Sequence, residues 1–221
     1  DTVLQTAISD IEVDPSEVNS KIYYIRYPID STSDFITIAT TRPETMFGDT
    51  AIAVNPKDDR FKSLVGKTVT IPIVGRRIKI IEDDYADPEQ GTGALKITPA
   101  HDFNDYEVGV RNNLEVINIF TEDGKINENA PKDYTGLDRF DARKKLLKEL
   151  KEKEFFVKDE DIRNKVPYGD RSNSVIEPFL TDQWFVDAEK LAVKAKEIVN
   201  NKKTNFFPEN WSKTYFQWMN N

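Results

Sequence analysis

The stretch GTGALKITPAHDFNDYE, residues 91–107, decides how this chain is read. The Gly91-Thr92-Gly93 turn leads into a strand over 94–98, Pro99 breaks it, and a helix starts near Asp102. Side chains alternate along a strand, so Lys96 and Thr98 share one face while Leu95 and Ile97 take the other, the core face. Asp105 falls at about the third helical position, where the helix dipole favours an ionised carboxylate. A lysine and a threonine leading into a turn that carries a carboxylate can hold an ammonium group or a hydroxyl. The spacing leaves Asp105 open between helix cap and ligand group, whereas Asp102 reads first as a cap. His101, the only histidine, is more simply structural, although its neighbours would let it orient a water.

The second informative segment is TTRPETMFG, residues 40–48, which continues the strand-like FITIAT of 35–40. Thr41 and Glu44 fit a capping box, Pro43 suits a first helical turn, and Gly48 suits a left-handed end. The pattern predicts a strand running into a one-turn helix whose amides face outward, where an anion or oxyanion would be held. As a pattern it is first of all a capped helix. Thr40, Thr41 and Thr45, with Arg42, add three hydroxyls and a cation at the same strand end.

Outward from these segments, further strands are expected over 21–27, 51–54, and 69–73 with 77–81 as a hairpin about Gly75. Two more, 116–120 and 125–127, flank the turn dipeptide Asp123-Gly124. Helices are expected over 102–112, with Phe103, Tyr106 and Val110 on one face, over 138–154 and over 187–199. The fold class is therefore mixed and β-rich, a closed or nearly closed β-barrel with inserted helices. Residues 1–20 and 163–221 read as a stalk in which the chain ends pair as a ribbon, leaving 21–162 as the barrel. The aromatics near the end, Phe206, Phe207, Trp211, Tyr215, Phe216 and Trp218, crowd in a way that suits cover by a neighbouring domain. The Lys-rich 143–153 reads as a solvated helix face, with RNA contact the lesser reading, and Glu82-Asp83-Asp84 as a solvated loop.

The chain is 38% hydrophobic and 32% charged, with a formal net charge of −8. A chain that held nucleic acid mainly through phosphates would be basic, so this one alone should hold RNA weakly. It has no cysteine, which excludes disulfides, thiolate zinc sites and cysteine nucleophiles, and one histidine, which excludes a multi-histidine metal site. Hydrolysis here would have to use positioned water, carboxylates, hydroxyls and backbone donors. Neither a signal peptide nor a membrane span is expected, and nothing in the sequence points to export.

Together, TTRPETMFGDTAIAVNP and GTGALKITPAHDFNDYEVG resemble the inserted editing domain of the class I aminoacyl-tRNA synthetases for valine, isoleucine and leucine. The Lys96-x-Thr98-Pro-Ala-His-Asp run and the later GDRSNSVIEPFLTDQWFVD are similar to valyl members, and the likeness covers nearly the whole chain. Isoleucyl members usually carry Pro-Gly-His at the turn, and leucyl members usually lack the lysine. The resemblance implies a barrel that hydrolyses Thr-tRNA(Val), joined by a ribbon to a catalytic domain elsewhere. It implies Asp105, Lys96 and Thr98 as catalytic and pocket residues. Thr40, Thr41, Arg42, Thr45, His101 and Asp102 would bind the substrate, the 3′ end of tRNA(Val) carrying a misattached amino acid. No metal and no cofactor is implied for this segment. ATP and Mg belong to the parent enzyme, since the sequence has no HIGH-like or KMSKS-like motif. The location implied is cytoplasmic. The rival expectations are isoleucyl or leucyl editing, and an RNA-docking module inactive by itself.

Overall fold

A computed structural model describes every residue except Gln183, Phe185 and Asn221. The GDRSNSVIEPFLTDQWFVD stretch therefore lies partly outside the described residues. The chain divides into two compact units, Asp1–Leu180 and Thr181–Asn221.

The first unit is β-rich, with strands β1 (Val13–Pro28), β2 (Phe35–Thr40), β3 (Ala51–Val54), β4 (Thr68–Thr70), β5 (Arg77–Glu82), β6 (Ala94–Ile97) and β7 (Phe156–Gly169). Its helices are α1 (Phe103–Arg111) and α2 (Arg139–Glu152). The strands form a three-stranded sheet, β2-β1-β7, and a four-stranded sheet, β4-β5-β3-β6. The expectation of a closed or nearly closed barrel holds as to a β-rich fold, but among the described residues the strands form two sheets and no closed barrel. Among the described residues a single bridge, Ile29 with Val69, ties the sheets at one side. At the other side β2 runs beside β6 with no ladder between them among the described residues. The strands of the second sheet are only three to six residues long, too short to carry pairing round a full circle.

β1 behaves as two half-strands. Its inner half buries Ile25 and Tyr27, and these pack with Ile38, Ile52, Val69, Phe47 and Leu146 in the main core. Its outer half is wet and pairs with β7 from Val13↔Gly169 to Tyr24↔Lys158. A two-stranded ribbon has no core face to stabilise it. Here cross-strand polar pairs add small increments: Lys21 with Asp159, the Tyr24 hydroxyl donating to Glu160 at 2.9 Å, and Lys158 over the Tyr24 ring.

Two local expectations are corrected. The face of α1 carrying Phe103, Tyr106 and Val110 points to solvent, while Asp105, Val108 and Gly109 are buried. The cause is close packing on the Pro99 turn: a Cβ at Gly109 would lie 2.9 Å from Pro99 Cγ, so only glycine lets the helix sit there. The segments 116–120 and 125–127 form only isolated bridges, Phe120↔Ile126 and Lys125↔Asp138. Side chains take up several backbone groups there: His101 Nε2 accepts from Ile119 N, Asn118 Oδ1 accepts from Phe120 N, and Asn127 Nδ2 donates to the Asn118 and Phe120 carbonyls.

Asp83, in the acidic run read as a solvated loop, is instead buried and takes Arg111 through two hydrogen bonds and Asn112 through a third. It holds the C-terminal end of α1 against the loop after β5.

In the second unit, α3 (Ala188–Asn200) and α4 (Trp211–Asn220) pack on one another, and neither contains a buried residue. Phe206, Tyr215 and Phe216 cluster, while Phe207 and Trp218 are almost fully exposed. No helix among the described residues is long and apolar enough to cross a membrane.

Candidate functional site

The two sequence segments meet. The 40–48 segment forms a short 3₁₀ helix, Pro43–Gly48, and its end lies against the end of β6. An ideal Cβ at Gly48 would sit 2.8 Å from the Ile117 carbonyl oxygen and 3.1 Å from Thr98 Cγ2. Gly48→Ala must therefore push the corner away from Thr98. We expect a loss of about 1–3 kcal/mol from overpacking, with a larger loss of any activity that needs both corners; unchanged melting and unchanged activity in this variant would show that the contact is not tight.

The capping box is corrected. Arg42, not Thr41, occupies the N-cap and supplies no side-chain cap. Glu44 points inward, fully buried, and accepts from Arg143 Nε and Nη2 at 2.6 Å each. Every residue of Pro43–Gly48 is buried, so the outward-facing amide end is not formed. Burial of this carboxylate against α2 outweighs the local cap, because leaving Arg143 unpaired would cost more than one cap hydrogen bond.

At the β6 corner, Lys96, Thr98 and Asp105 come together and all are buried. The Thr98 amide donates to Asp105 Oδ2 at 2.9 Å, and Lys96 Nζ donates to the Thr98 hydroxyl. Burial pushes the Asp105 carboxyl up to about 6, against the pull of Lys96 and the Thr98 amide. Asp105 Oδ1 makes no hydrogen bond among the described residues. Asp102 is the N-cap of α1, accepting from the Asn104 and Asp105 amides, and its side chain is otherwise exposed.

His101 is a buried strut. Its Nε2 accepts from the Ile119 amide at 3.0 Å, its ring meets Phe120 edge-on, and Nδ1 has no well-formed partner. Burial, then the charges of Arg42 and Lys96, lower its pKa to about 3, an effect the Pro178 backbone only partly offsets. It is neutral at physiological pH and too weak a base to activate water.

Arg42 joins the corners. Its Nη1 donates to the His101 carbonyl at 3.0 Å and its Nη2 pairs with Glu177. The Thr45 hydroxyl donates to the Arg42 carbonyl at 2.9 Å, and the Thr40 hydroxyl accepts from the Arg42 amide at 3.1 Å. Thr41 is half-buried, and its hydroxyl makes no hydrogen bond among the described residues.

Sequence reading missed four residues of this assembly. Asp49 is fully buried and accepts from Lys96 Nζ at 3.0 Å, the Thr98 hydroxyl at 2.6 Å and the Tyr27 hydroxyl at 2.7 Å. Glu177 and Arg139 form a buried pair beside Arg42, and Arg143 clamps Glu44. The available signal for Asp49 was its position as the lone charge in FGDTAIAV, a run that is otherwise core. No group of three or more potential metal ligands occurs among the described residues.

The interior of this β-rich unit carries a lysine, two aspartates and a threonine at one corner, tied by an arginine to a second threonine-rich corner. The whole chain, residues 1–221, matches the family model for class I tRNA synthetases (I, L, M and V), and the chain belongs to that family. Among its relatives is the valine–tRNA ligase of Pelagibacter ubique (strain HTCC1062), 83% identical over the full chain and 25% of that protein. The valine–tRNA ligase of Caulobacter vibrioides is 50% identical over the full chain and 27% of its own length, and that of Thermotoga maritima 52% identical over 97% of the chain and 25% of its own. The chain thus spans about a quarter of the length of the curated relatives it matches. A solved LeuRS–tRNA–LeuAMS ternary complex of Agrobacterium radiobacter K84 is 21% identical, covering 68% of this chain and 20% of that one, with a TM-score of 0.49.

Proposed function

We propose that this chain is the editing region of a valine–tRNA ligase and hydrolyses the ester of threonine misattached to tRNA(Val). The observation that carries the reading is the buried Asp49–Lys96–Thr98–Asp105 cluster beside the Thr40–Thr45 corner. Valine and threonine are near-isosteric, so an apolar pocket rejects the added hydroxyl only weakly and a second, polar site is needed. Valine in such a site leaves buried polar groups unpaired, at roughly 1–3 kcal/mol per group.

In this mechanism Asp105, ionised at neutral pH, anchors the α-ammonium or the side-chain hydroxyl. Lys96 and Thr98 line the same site. Thr41 and Thr40 hold the ester end and a water, with Thr45 and Arg42 keeping their corner in place. Water adds to the ester carbonyl, the C–O bond to the terminal adenosine breaks, and the ribose oxygen leaves with a proton. The products are free threonine and tRNA(Val). With His101 so weakly basic, the neighbouring ribose hydroxyl is the group left to assist proton transfer.

The reaction draws no cofactor from this chain; ATP and Mg would serve aminoacylation elsewhere in the parent enzyme. The two sheets would form the barrel-like editing domain over 21–162. Residues 1–20 and 163–221, with the β1–β7 ribbon, would lead towards the catalytic part, which would also cover the exposed aromatics of the second unit. The working location would be the cytoplasm.

The test is a deacylation panel of Thr-tRNA(Val), Val-tRNA(Val) and Val-tRNA(Ile). The reading expects hydrolysis of the first alone, more slowly than by a full-length synthetase, because the acidic chain gathers little tRNA by itself. Preferential hydrolysis of Val-tRNA(Ile) would favour isoleucyl-type editing, and no hydrolysis by chain or parent would leave an RNA-docking role.

A further inference from the structure

Resting on the editing reading for the identity of its ligand, we infer that the outer face of α2 is a track for single-stranded RNA. One base stacks on Phe140, and the phosphates behind it run along Lys144, Lys148 and Lys151.

The argument starts from charge and spacing. Residues 139–153 carry seven basic and three acidic side chains, a local charge of +4 in a chain of −8. The inner side of α2 places Ala142, Leu146 and Leu150 in the main core. On the opposite side Phe140, Lys144, Lys148 and Lys151 recur at steps of four, four and three, which is one helical face. The stripe is about 16 Å long. All four residues are exposed, Lys144 and Lys148 over 78% of their side-chain surface. Like charges three and four apart weaken a helix, so helix stability does not account for the row.

The ammonium groups are free to exchange partners. Lys144 meets Asp141 at 3.0 Å and Lys148 meets Glu152 at 3.8 Å, both in exposed pairs that contribute little and yield to a phosphate. Lys151 lies over the Phe156 ring and has no carboxylate within ion-pair distance among the described residues. The Phe140 ring, by contrast, is fixed. The Arg139 and Arg143 guanidiniums sit 4.9 and 5.4 Å from its centroid. Arg139 is tied to the Val175 carbonyl at 2.7 Å, and Arg143 to Glu44. A rigid, exposed ring backed by cations is a platform on which any base can stack.

The placement sets the direction. Arg143, next to Lys144, reaches into the Pro43–Gly48 helix, on which α2 packs. Lys151 lies about 12 Å further along the α2 axis. A strand whose 3′ end occupies the proposed site therefore offers a base to Phe140 and runs back past the lysines.

The experiment titrates a short unstructured RNA oligonucleotide ending in adenosine with the 221-residue chain, at several salt concentrations, by fluorescence anisotropy. Replacing Lys144, Lys148 and Lys151 together by Gln should weaken binding and lower the salt slope by about 2, three phosphates at roughly 0.7 each. Phe140→Leu, which keeps apolar cover but no aromatic ring, should weaken binding at least fivefold with the slope unchanged. Replacing Lys194, Lys202 and Lys203 by Gln changes the net charge equally and should leave affinity within about threefold. Thr-tRNA(Val) hydrolysis measured in parallel separates the two readings: no turnover by the wild type removes the editing reading, and the oligonucleotide titrations still decide the track. Wild-type slope in the α2 triple variant, equal losses in the two triple variants, or wild-type affinity in Phe140→Leu would each overturn the inference. So would a wild-type chain that does not bind the oligonucleotide at low salt, which would leave this face to a protein partner or to solvent.

Discussion

Asp105→Asn is expected to reduce hydrolysis of Thr-tRNA(Val) by at least 100-fold and, at pH 8, to make the chain more stable. The two effects share one cause. Burial holds the Asp105 carboxyl near 6 rather than the ordinary 3.8, so the folded state binds its proton more tightly than the unfolded state does. Below pH 4 the group is protonated in both states and contributes nothing. As pH rises from about 4 to 6 the unfolded chain ionises first, and stability falls. Above 6 the buried charge costs about 3 kcal/mol, the free-energy equivalent of that displacement. Asparagine keeps an acceptor for the Thr98 amide, bonded at 2.9 Å in the parent, but carries no charge. Melting from pH 4 to 8 should show the wild type losing stability that the variant keeps. On the proposed editing reading the ionised form would anchor the ammonium, so wild-type kcat/KM should climb with pH to a bend near 6. Full turnover by Asp105→Asn would remove the residue from the chemistry, and an unchanged melting profile would remove the strain assigned to its burial.

Glu44→Ala is expected to cost about 3–5 kcal/mol, the penalty for breaking a buried ion pair and stranding its partner. Glu44 is wholly buried and accepts two 2.6 Å hydrogen bonds from Arg143, with Arg42 Nε at 3.8 Å. Its loss leaves Arg143 without its hydrogen-bonded counter-charge between α2 and the corner helix, with Glu177 acting on it only at longer range. For a unit of this size each kcal/mol shifts Tm by about 2–4 °C, so a fall of roughly 6–20 °C is predicted. Glu44→Ala combined with Arg143→Ala should recover part of the loss, because the stranded charge is gone. By contrast, removing the exposed Lys144–Asp141 pair on the same helix should leave the melt unchanged. A Glu44→Ala melt equal to wild type would show that the corner is held by apolar packing alone.

What the sequence made legible was local. The alternation in 94–98 placed Lys96 and Thr98 together, and counting from the Asp102 cap placed Asp105 at the third helical position, as the structure has it. Asp49 escaped because its one local mark, a lone charge in a core-like run, does not name a partner: Lys96 and Thr98 are 47 and 49 residues away in sequence. Glu44 was read by its local option, a capping box, when a tertiary partner 99 residues on had the stronger claim. The face of α1 was inverted for a related reason. Apolar periodicity selected Phe103, Tyr106 and Val110, but the helix seats itself through Gly109, whose contribution is the absence of a side chain. Sheet closure was expected from strand count, and strand count does not say which edges find a hydrogen-bonded neighbour.

Editing as proposed requires the β6 turn and the 40–48 corner to read a hydroxyl together. The most direct measurement is a crystal structure of the chain bound to a threonyl-amide adenosine analogue. It should place the threonine hydroxyl about 3 Å from both Lys96 Nζ and Asp105 Oδ1, with the amide that replaces the ester beside Thr41. A ligand seated elsewhere, or one whose hydroxyl contacts neither group, would contradict the account.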